Sequence, residues 1–215
     1  MSCILTIQSL KQQQLHCSLS SPISLLTMKF TSFFALAAFT VAGAMAQTGS
    51  NSVSVAAAAL VNDINAIGTV SSNIDSLVAA YPENGGTVAG ALAIHNAAVA
   101  LLNPINAAAT DAANIPNLPL SDSDATIIIN IIIIIRVPII RHLLRLILLR
   151  SSFLALPIAG VPDVILGDLN NLNQATAAFQ AALTAALPIS ALDQANDFFS
   201  DVNGAFASAI AAYSQ

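Results

Sequence analysis

The sequence predicts an all-α protein, an antiparallel bundle of four to five amphipathic helices. Two observations support this fold class. Apolar residues recur at alternating steps of three and four residues in several separate stretches, and this spacing places them on one face of a helix. Short breaks rich in glycine and proline separate these stretches, and no convincing β-hairpin is present. Short connections of this kind favour helices packed side by side in one bundle.

The first two predicted helices are separated by a turn at 82–86. The apolar stripe of the first is interrupted only by Ser71, and it consists of Leu60, Ile64, Ile67, Ser71, Ile74, Val78 and Tyr81. The stripe of the second helix consists of Ala91, Ile94, Ala98, Leu101, Ile105, Ala108 and Ala112. Pro104 lies inside this second stripe and predicts a kink or a split near Asn103, because proline lacks the backbone N–H of a helical hydrogen bond.

The remaining helices have recognisable starts. Residues 121–124 supply capping oxygens and acidic charge for a third helix. Pro162 suits the first turn of a fourth, whose stripe closes at Pro188. That stripe consists of Ile165, Leu169, Leu172, Thr176, Phe179, Leu183 and Leu187. Ser190 and Asp193 resemble a cap that opens a fifth helix. The predicted buried side of that helix consists of Ala195, Phe199, Val202, Phe206, Ala209 and Tyr213.

Residues 127–149 form a run of isoleucine and leucine that is long enough to span a bilayer. Three arginines and Pro138 within the run argue against a transmembrane helix. The stretch 131–135 would suit a buried strand, but no partner strand is apparent. The favoured interpretation is a helix continued from the capped start. Arg141 and Arg145 then share a face, either as a solvated basic edge or as a clamp for a carboxylate or anionic lipid headgroup.

Residues 28–46 have the three parts of a secretory signal peptide. A lysine follows the methionine, an apolar run too short to span a bilayer comes next, and Ala44-Met45-Ala46 forms a cleavage signal. We therefore expect an exported protein that is cleaved after Ala46.

The signal divides the chain into four parts. Residues 1–27 are interpreted as either a mis-assigned start or an alternative N-terminal extension. The signal at 28–46 is followed by a flexible tether at 47–53. Residues 54–215 are expected to form a single helical-bundle domain, which is large enough to fold alone.

Composition after the signal excludes several classes of function. Eleven acidic residues and four arginines give this part a formal net charge of −7, which disfavours nucleic acid as a partner. It has no cysteine and only two histidines, so neither a disulfide nor a metal site is expected. No Gly-x-Ser-x-Gly motif with a credible base is present. We expect no enzyme activity and no cofactor.

Short sequence features in the domain resemble the fungal hydrophobic surface-binding protein A family, which includes antigenic cell-wall galactomannoproteins. The features lie at 61–64, Tyr81, 85–86, 119–122, 169–172, 178–179 and 206–213. The resemblance implies an all-α, secreted or wall-associated protein that adsorbs to hydrophobic surfaces. Some members of the family bind fatty acids inside a helical bundle. The chain departs from the family pattern at 127–150, where such proteins usually carry an ordinary amphipathic helix with lysines.

The candidate ligand-binding residues are apolar side chains predicted to line the interior. They are Leu60, Ile64, Ile67, Leu92, His95, Val99, Leu102, Leu169, Leu172, Phe179, Phe199, Phe206 and Tyr213. His95 is either a satisfied or surface histidine or a ligand contact, and the aromatic residues are core residues that would also form the wall of a lipid cavity. Arg141 and Arg145 are candidate anion contacts.

Three functional hypotheses remain. The bundle encloses a fatty acid or similar lipid, or its amphipathic helices open and spread on a hydrophobic solid. Alternatively, the protein is a structural or antigenic wall component without a specific small ligand. Cell-wall polysaccharide is a further candidate partner, whereas nucleic acid and metal are not.

Overall fold

The computed structural model describes residues 53–215, and within this range it contains five α-helices and no β-strand. The helices are α1 (Val55–Ala80), α2 (Val88–Ala113), α3 (Asp122–Leu154), α4 (Val161–Ala186) and α5 (Ile189–Tyr213). The prediction of an all-α bundle of four to five helices is therefore confirmed. The extension at 1–27, the signal peptide at 28–46 and nearly all of the tether lie outside the described residues.

The helices form a ring in the order α1, α2, α4, α5, α3, and α3 touches α4 over a smaller area across it. Consecutive helices are antiparallel, but several spatial neighbours are parallel. The start of α1 meets the start of α3, where the backbone N–H of Ser54 donates to Asp124 at 2.8 Å. At corresponding positions in α2 and α4, His95 meets Asp168 at 2.8 Å. Thus α1, α3 and α5 run in one direction, and α2 and α4 run in the other.

Asp124 ties together the starts of α1 and α3. Its carboxylate accepts hydrogen bonds from the Ser54 backbone at 2.8 Å and from the Ser121 hydroxyl at 2.9 Å. Ser121 also caps α3, because its hydroxyl oxygen accepts the backbone N–H of Asp124. Burial alone would raise the pKa of Asp124, but these hydrogen bonds outweigh burial and hold the pKa below its ordinary value. The predicted cap at 121–124 is confirmed.

Two details of the sequence prediction are wrong. Pro104 does not split α2, which continues from Val88 to Ala113, because the buried residues on both sides of the proline hold the helix between its neighbours; a kink at this position stays a prediction. Ser190 does not cap α5, which already begins at Ile189 with Pro188 in the cap position. The Ser190 hydroxyl instead donates to the Asp122 carboxylate at 2.7 Å.

The isoleucine-rich segment is helical throughout and forms most of α3, as the favoured interpretation predicts. By length and composition, two of the described helices, α2 and α3, could cross a membrane. In this structure each packs against neighbouring helices and supplies part of the hydrophobic core. Core helices of globular proteins pass the same test of length and composition, so the bundle accounts for the apolar character of both.

Helices α1 and α3 approach closely at the middle of the bundle. A Cβ atom at Gly68 would lie only 2.6 Å from the Cγ2 atom of Ile135, so glycine permits this separation. About two turns further along, Arg141 donates from Nε to both carboxylate oxygens of Asp75, at 2.9 and 3.0 Å. These contacts between α1 and α3 place Ser71 and His142 at the same height along the bundle axis, where both line one cavity.

Candidate functional site

A small apolar cavity of about 30 Å³ lies at the centre of the bundle, with room for no more than a few water molecules. All five helices contribute to its wall. The wall consists of Ile67, Ser71, Leu101, Ile105, Ile135, Ile139, His142, Thr176, Phe179, Phe198, Val202 and Phe206. Three of these side chains carry a polar group in an otherwise apolar lining.

A second cavity, of about 20 Å³, lies next to the first, and the two share His142 as a wall residue. It is lined by Ile74, Ile94, Ala98, His142, Leu143, Leu146, Ile165, Asp168, Leu169 and Leu172. The two cavities together define an axial row of weakly packed positions in the interior of the bundle.

A surface groove of about 140 Å³ lies between the first turns of α2 and α4. It is lined by Val88, Ala91, Leu92, His95, Ile158, Val161, Val164 and Ile165. Ile165 belongs to the walls of both the groove and the second cavity. The groove, the second cavity and the central cavity therefore adjoin one another, separated by the side chains of Ile165 and His142.

His95 and Asp168 form an ion pair or hydrogen bond beside this groove, with 2.8 Å between Nδ1 and Oδ2. The imidazole is one-third exposed, whereas the carboxylate is 12% exposed. Burial raises the pKa of Asp168, and His95 opposes this shift without cancelling it. The pair links α2 to α4 at the level where the groove meets the interior.

Two buried polar atoms in the central cavity have no hydrogen-bond partner within the described chain. They are the hydroxyl oxygen of Ser71, whose residue is 0% exposed, and Nδ1 of His142, whose residue is 2% exposed. Burial lowers the pKa of His142 to about 4. The negative charge of Asp75 opposes this shift, as does the nearby backbone carbonyl of Pro138, which lies outside hydrogen-bond geometry. The imidazole is therefore neutral at neutral pH, where it can donate one hydrogen bond and accept another.

The arginines of α3 lie outside the cavities. The charge of Arg141 is paired with Asp75, whose side chain is 11% exposed. Arg145 lies in a separate surface pocket together with Glu83. Arg136 pairs with Asp201 at 2.9 Å. A role of Arg141 or Arg145 as an anion contact stays a prediction.

The structure brings together only some of the residues predicted to line a ligand site. Ile67, Phe179 and Phe206 line the central cavity, Leu169 and Leu172 the second, and Leu92 and His95 the groove. The others lie outside these three spaces: Leu60, Ile64, Leu102, Phe199 and Tyr213 pack in or against the core, and Val99 is 45% exposed. Their contact with a ligand stays a prediction.

Sequence reasoning missed the polar positions of the site. Ser71 and Thr176 were visible as the only polar members of two apolar stripes, and this interruption was the available signal. His142 follows Ile135 and Ile139 at helical spacing, but the surrounding isoleucines and arginines obscured the buried face of α3. Asp168, the partner of His95, lies 73 residues away in sequence, so periodicity carried no information about this pair.

An apolar stripe also lies on the outer surface of α3. Its members, which we call the α3 outer stripe, are Ile134, Val137, Leu144 and Leu148, between 50% and 70% exposed. Steps of three, seven and four residues place them on one side of the helix, with Arg141 between them. Large apolar side chains grouped in this way mark a surface that can contact other apolar material.

Within residues 53–215, no group of three or more histidine, cysteine, aspartate or glutamate side chains is arranged to hold a metal ion.

The fold and the site define an all-α bundle with small apolar cavities in its interior and an apolar surface groove beside them. The sequence profile of the family described as hydrophobic surface binding protein A matches residues 57–185. Because this match spans more than half of the chain, the protein belongs to the hydrophobic surface binding protein A family. The resemblance seen in the sequence is therefore confirmed. No curated protein matches the chain significantly in sequence.

Three solved structures share the fold. A crystal structure of AfMP4p in complex with palmitic acid is 25% identical, with a TM-score of 0.65, covering 73% of this chain and 99% of that one. Ligand binding domain 1 of the Penicillium marneffei MP1 protein, complexed with arachidonic acids, is 16% identical, with a TM-score of 0.66 and coverages of 74% and 99%. Ligand binding domain 2 of the same protein, also with arachidonic acids, is 15% identical, with a TM-score of 0.63 and coverages of 77% and 97%.

Proposed function

We propose that the protein binds a long-chain fatty acid inside the bundle, along the axial row of cavities. The observation that carries the proposal is the row of three adjoining apolar spaces, in which Ile165 separates the α2–α4 groove from the second cavity and His142 separates the second cavity from the central one. The similar protein AfMP4p has been crystallised with palmitic acid, which supports a ligand of this class. A flexible apolar chain suits a narrow, apolar space of this shape.

Binding requires the interior to expand. Cavities of about 30 and 20 Å³ are far smaller than a sixteen-carbon chain, so helices or side chains must move apart to admit it. The α2–α4 contact is a suitable place for this movement. On the α2 side of this contact the small residues Ala91 and Ala98 are buried next to Ile94. We therefore propose that the ligand enters between α2 and α4.

Replacing Ala98 with leucine tests the axial site. The added carbons occupy the second cavity, so the affinity for palmitic acid is expected to fall at least about ten-fold. Native mass spectrometry with palmitic acid measures the fraction of protein with one bound lipid. Ala100→Leu is the matched control, because Ala100 lies two residues away on the exposed side of the same helix.

Circular dichroism of both variants serves as the control for folding, and both are expected to keep the helix content of the unmodified protein. Equal binding by Ala98→Leu, Ala100→Leu and the unmodified protein would contradict an axial site. Absence of any discrete adduct with the unmodified protein would contradict enclosure altogether and favour adsorption to surfaces.

A second mode is favoured by the α3 outer stripe. We propose that this exposed apolar face contacts hydrophobic solids while the bundle stays folded. The family description, hydrophobic surface binding, supports this mode. The two modes are compatible, because the stripe faces outward and the cavities lie inside.

Replacing Ile134 with glutamate tests the stripe. Ile134 is 70% exposed, so the substitution is expected to change the free energy of unfolding by less than about 0.5 kcal/mol. Adsorption to a hydrophobic bead, measured by depletion from solution, is expected to fall several-fold. Ile189→Glu is the matched control, because it makes the same change at a position that is 89% exposed outside the stripe. Equal losses in both variants would mean that net charge, not the stripe, controls adsorption.

Export and a non-catalytic role complete the proposal. The signal-like segment at 28–46 and the family membership support an extracellular or wall-associated protein. A role in binding, without catalysis, is consistent with the ligands named for the similar structures. Binding of cell-wall polysaccharide remains a separate hypothesis.

A further inference from the structure

The central cavity carries polar side chains that an unsubstituted acyl chain could not hydrogen-bond. Ser71 on α1, His142 on α3 and Thr176 on α4 converge on the wall of the central cavity. A buried polar atom without a hydrogen bond destabilises the protein by about 1–3 kcal/mol. Native structures contain few such atoms, so each one calls for an explanation. Two of them share this one cavity.

The charges around the cavity favour a neutral ligand group. No lysine or arginine lines either cavity, and Arg141, which precedes His142 in sequence, is paired with Asp75. The carboxylate of Asp168 lines the adjoining cavity. A carboxylate ion placed beside a neutral imidazole in this setting would lose its hydration without gaining a cation. A neutral O–H group would instead meet both a donor and an acceptor.

We propose that Ser71 and His142 form a polar subsite that binds a neutral O–H group of the enclosed lipid. This inference rests on the proposed binding of a fatty acid inside the bundle. The O–H group belongs either to a hydroxylated acyl chain or to the undissociated carboxyl group of a fatty acid. Either group would satisfy the Ser71 hydroxyl and Nδ1 of His142, the two atoms that lack a partner within the described chain.

The subsite lies well inside the bundle. Ile165, at the inner end of the groove, and Thr176 are eleven residues apart on α4, which corresponds to about 16 Å along the helix axis. A fatty acid whose carboxylate stays in the groove near His95 would therefore place part of its chain, not its head, at the subsite. A hydroxyl group on that part of the chain would be recognised there. A lipid that enters head first would bring its carboxyl group there instead.

The test compares four lipids with the full-length protein and with Ser71→Ala. The lipids are palmitic acid, its methyl ester, and two hydroxylated sixteen-carbon acids with the hydroxyl group near the carboxylate or in the middle of the chain. Ser72→Ala is the matched control, because the Ser72 hydroxyl donates to the carbonyl of Gly68 at 2.8 Å and is exposed. His142→Phe is a second variant that removes the imidazole and keeps an aromatic ring. Dissociation constants are measured by displacement of a fluorescent fatty acid.

Each source of the O–H group predicts its own pattern. For a chain hydroxyl, the mid-chain hydroxylated acid binds the unmodified protein about ten-fold more tightly than palmitic acid does, and Ser71→Ala abolishes this advantage. For a buried carboxyl group, palmitic acid binds more tightly than its methyl ester, and Ser71→Ala removes this difference. Ser72→Ala behaves like the unmodified protein in both cases.

The proposal and the function on which it rests can fail separately. If palmitic acid binds equally to all variants and no hydroxylated acid binds more tightly, the polar subsite is overturned while enclosure of a fatty acid stands. If no lipid binds to the unmodified protein, both are overturned.

Discussion

Replacing Phe199 with alanine is expected to lower the free energy of unfolding by about 4 kcal/mol, in the range of 3–5 kcal/mol found for buried aromatic residues. Phe199 is 0% exposed and lies between two other rings, with centroid distances of 5.7 Å to Phe179 and 4.9 Å to Phe198. The substitution leaves a cavity and removes both edge-to-face contacts. Urea denaturation followed by circular dichroism measures the change.

Two further substitutions make the result specific. Phe199→Leu restores part of the lost volume and is expected to cost less than alanine. Leu144→Ala, at a position 50% exposed on α3, is expected to change the free energy of unfolding by less than about 0.5 kcal/mol. A loss below about 1 kcal/mol for Phe199→Ala would contradict the close packing of α4 against α5.

Acidification is expected to destabilise the protein through His142. Burial lowers the pKa of this residue from 6.5 to about 4, so the unfolded chain binds the proton more readily than the folded protein does. The stabilisation is complete above pH 6.5 and is lost as the pH falls towards 4. One pKa unit corresponds to about 1.4 kcal/mol, so the expected loss is about 3 kcal/mol.

The contribution of His142 is isolated by comparison with His142→Phe and His142→Asn, which do not titrate. Asp75 on α1 is the charged group that acts on this imidazole. Arg141 on α3 pairs with Asp75, and Asp168 on α4 lines a cavity together with His142. All three residues are retained in every variant. Between pH 7 and pH 4 the unmodified protein is expected to lose about 3 kcal/mol more than the variants in the free energy of unfolding. Parallel pH profiles would show that the imidazole is not held neutral by burial.

The sequence predicted the helices well because each has one buried face. The steps of three and four residues in the stripes that begin at Leu60 and Ile165 follow directly from 3.6 residues per turn. The start of α3 was predictable for a similar reason, since the hydroxyl of Ser121 accepts a hydrogen bond only three residues away. The cap at Ser190 was wrong because its hydroxyl bonds instead to Asp122, a partner 68 residues distant.

The arrangement of the helices and much of the site could not be predicted in this way. An amphipathic stripe specifies that a face is buried but not which helix covers it, so the parallel pairing of α2 with α4 was not predictable. The groove depends on that pairing, as does the contact between His95 and Asp168. Ser71, in contrast, was visible in the sequence, because it is a single polar residue in an apolar stripe and it lies at the internal cavity.

The parallel packing of alternate helices has a consequence for the rate of folding. Contacts that join α1 to α3, α2 to α4 and α3 to α5 link residues between 65 and 73 positions apart. A bundle built only from antiparallel hairpins has mainly local contacts, whereas each of these pairs closes a long loop. Relative contact order is therefore higher than in a simple up-and-down bundle, and we expect slower folding than for such a bundle of equal length. The newly made chain therefore exposes its apolar helix faces to solvent for longer before the bundle forms.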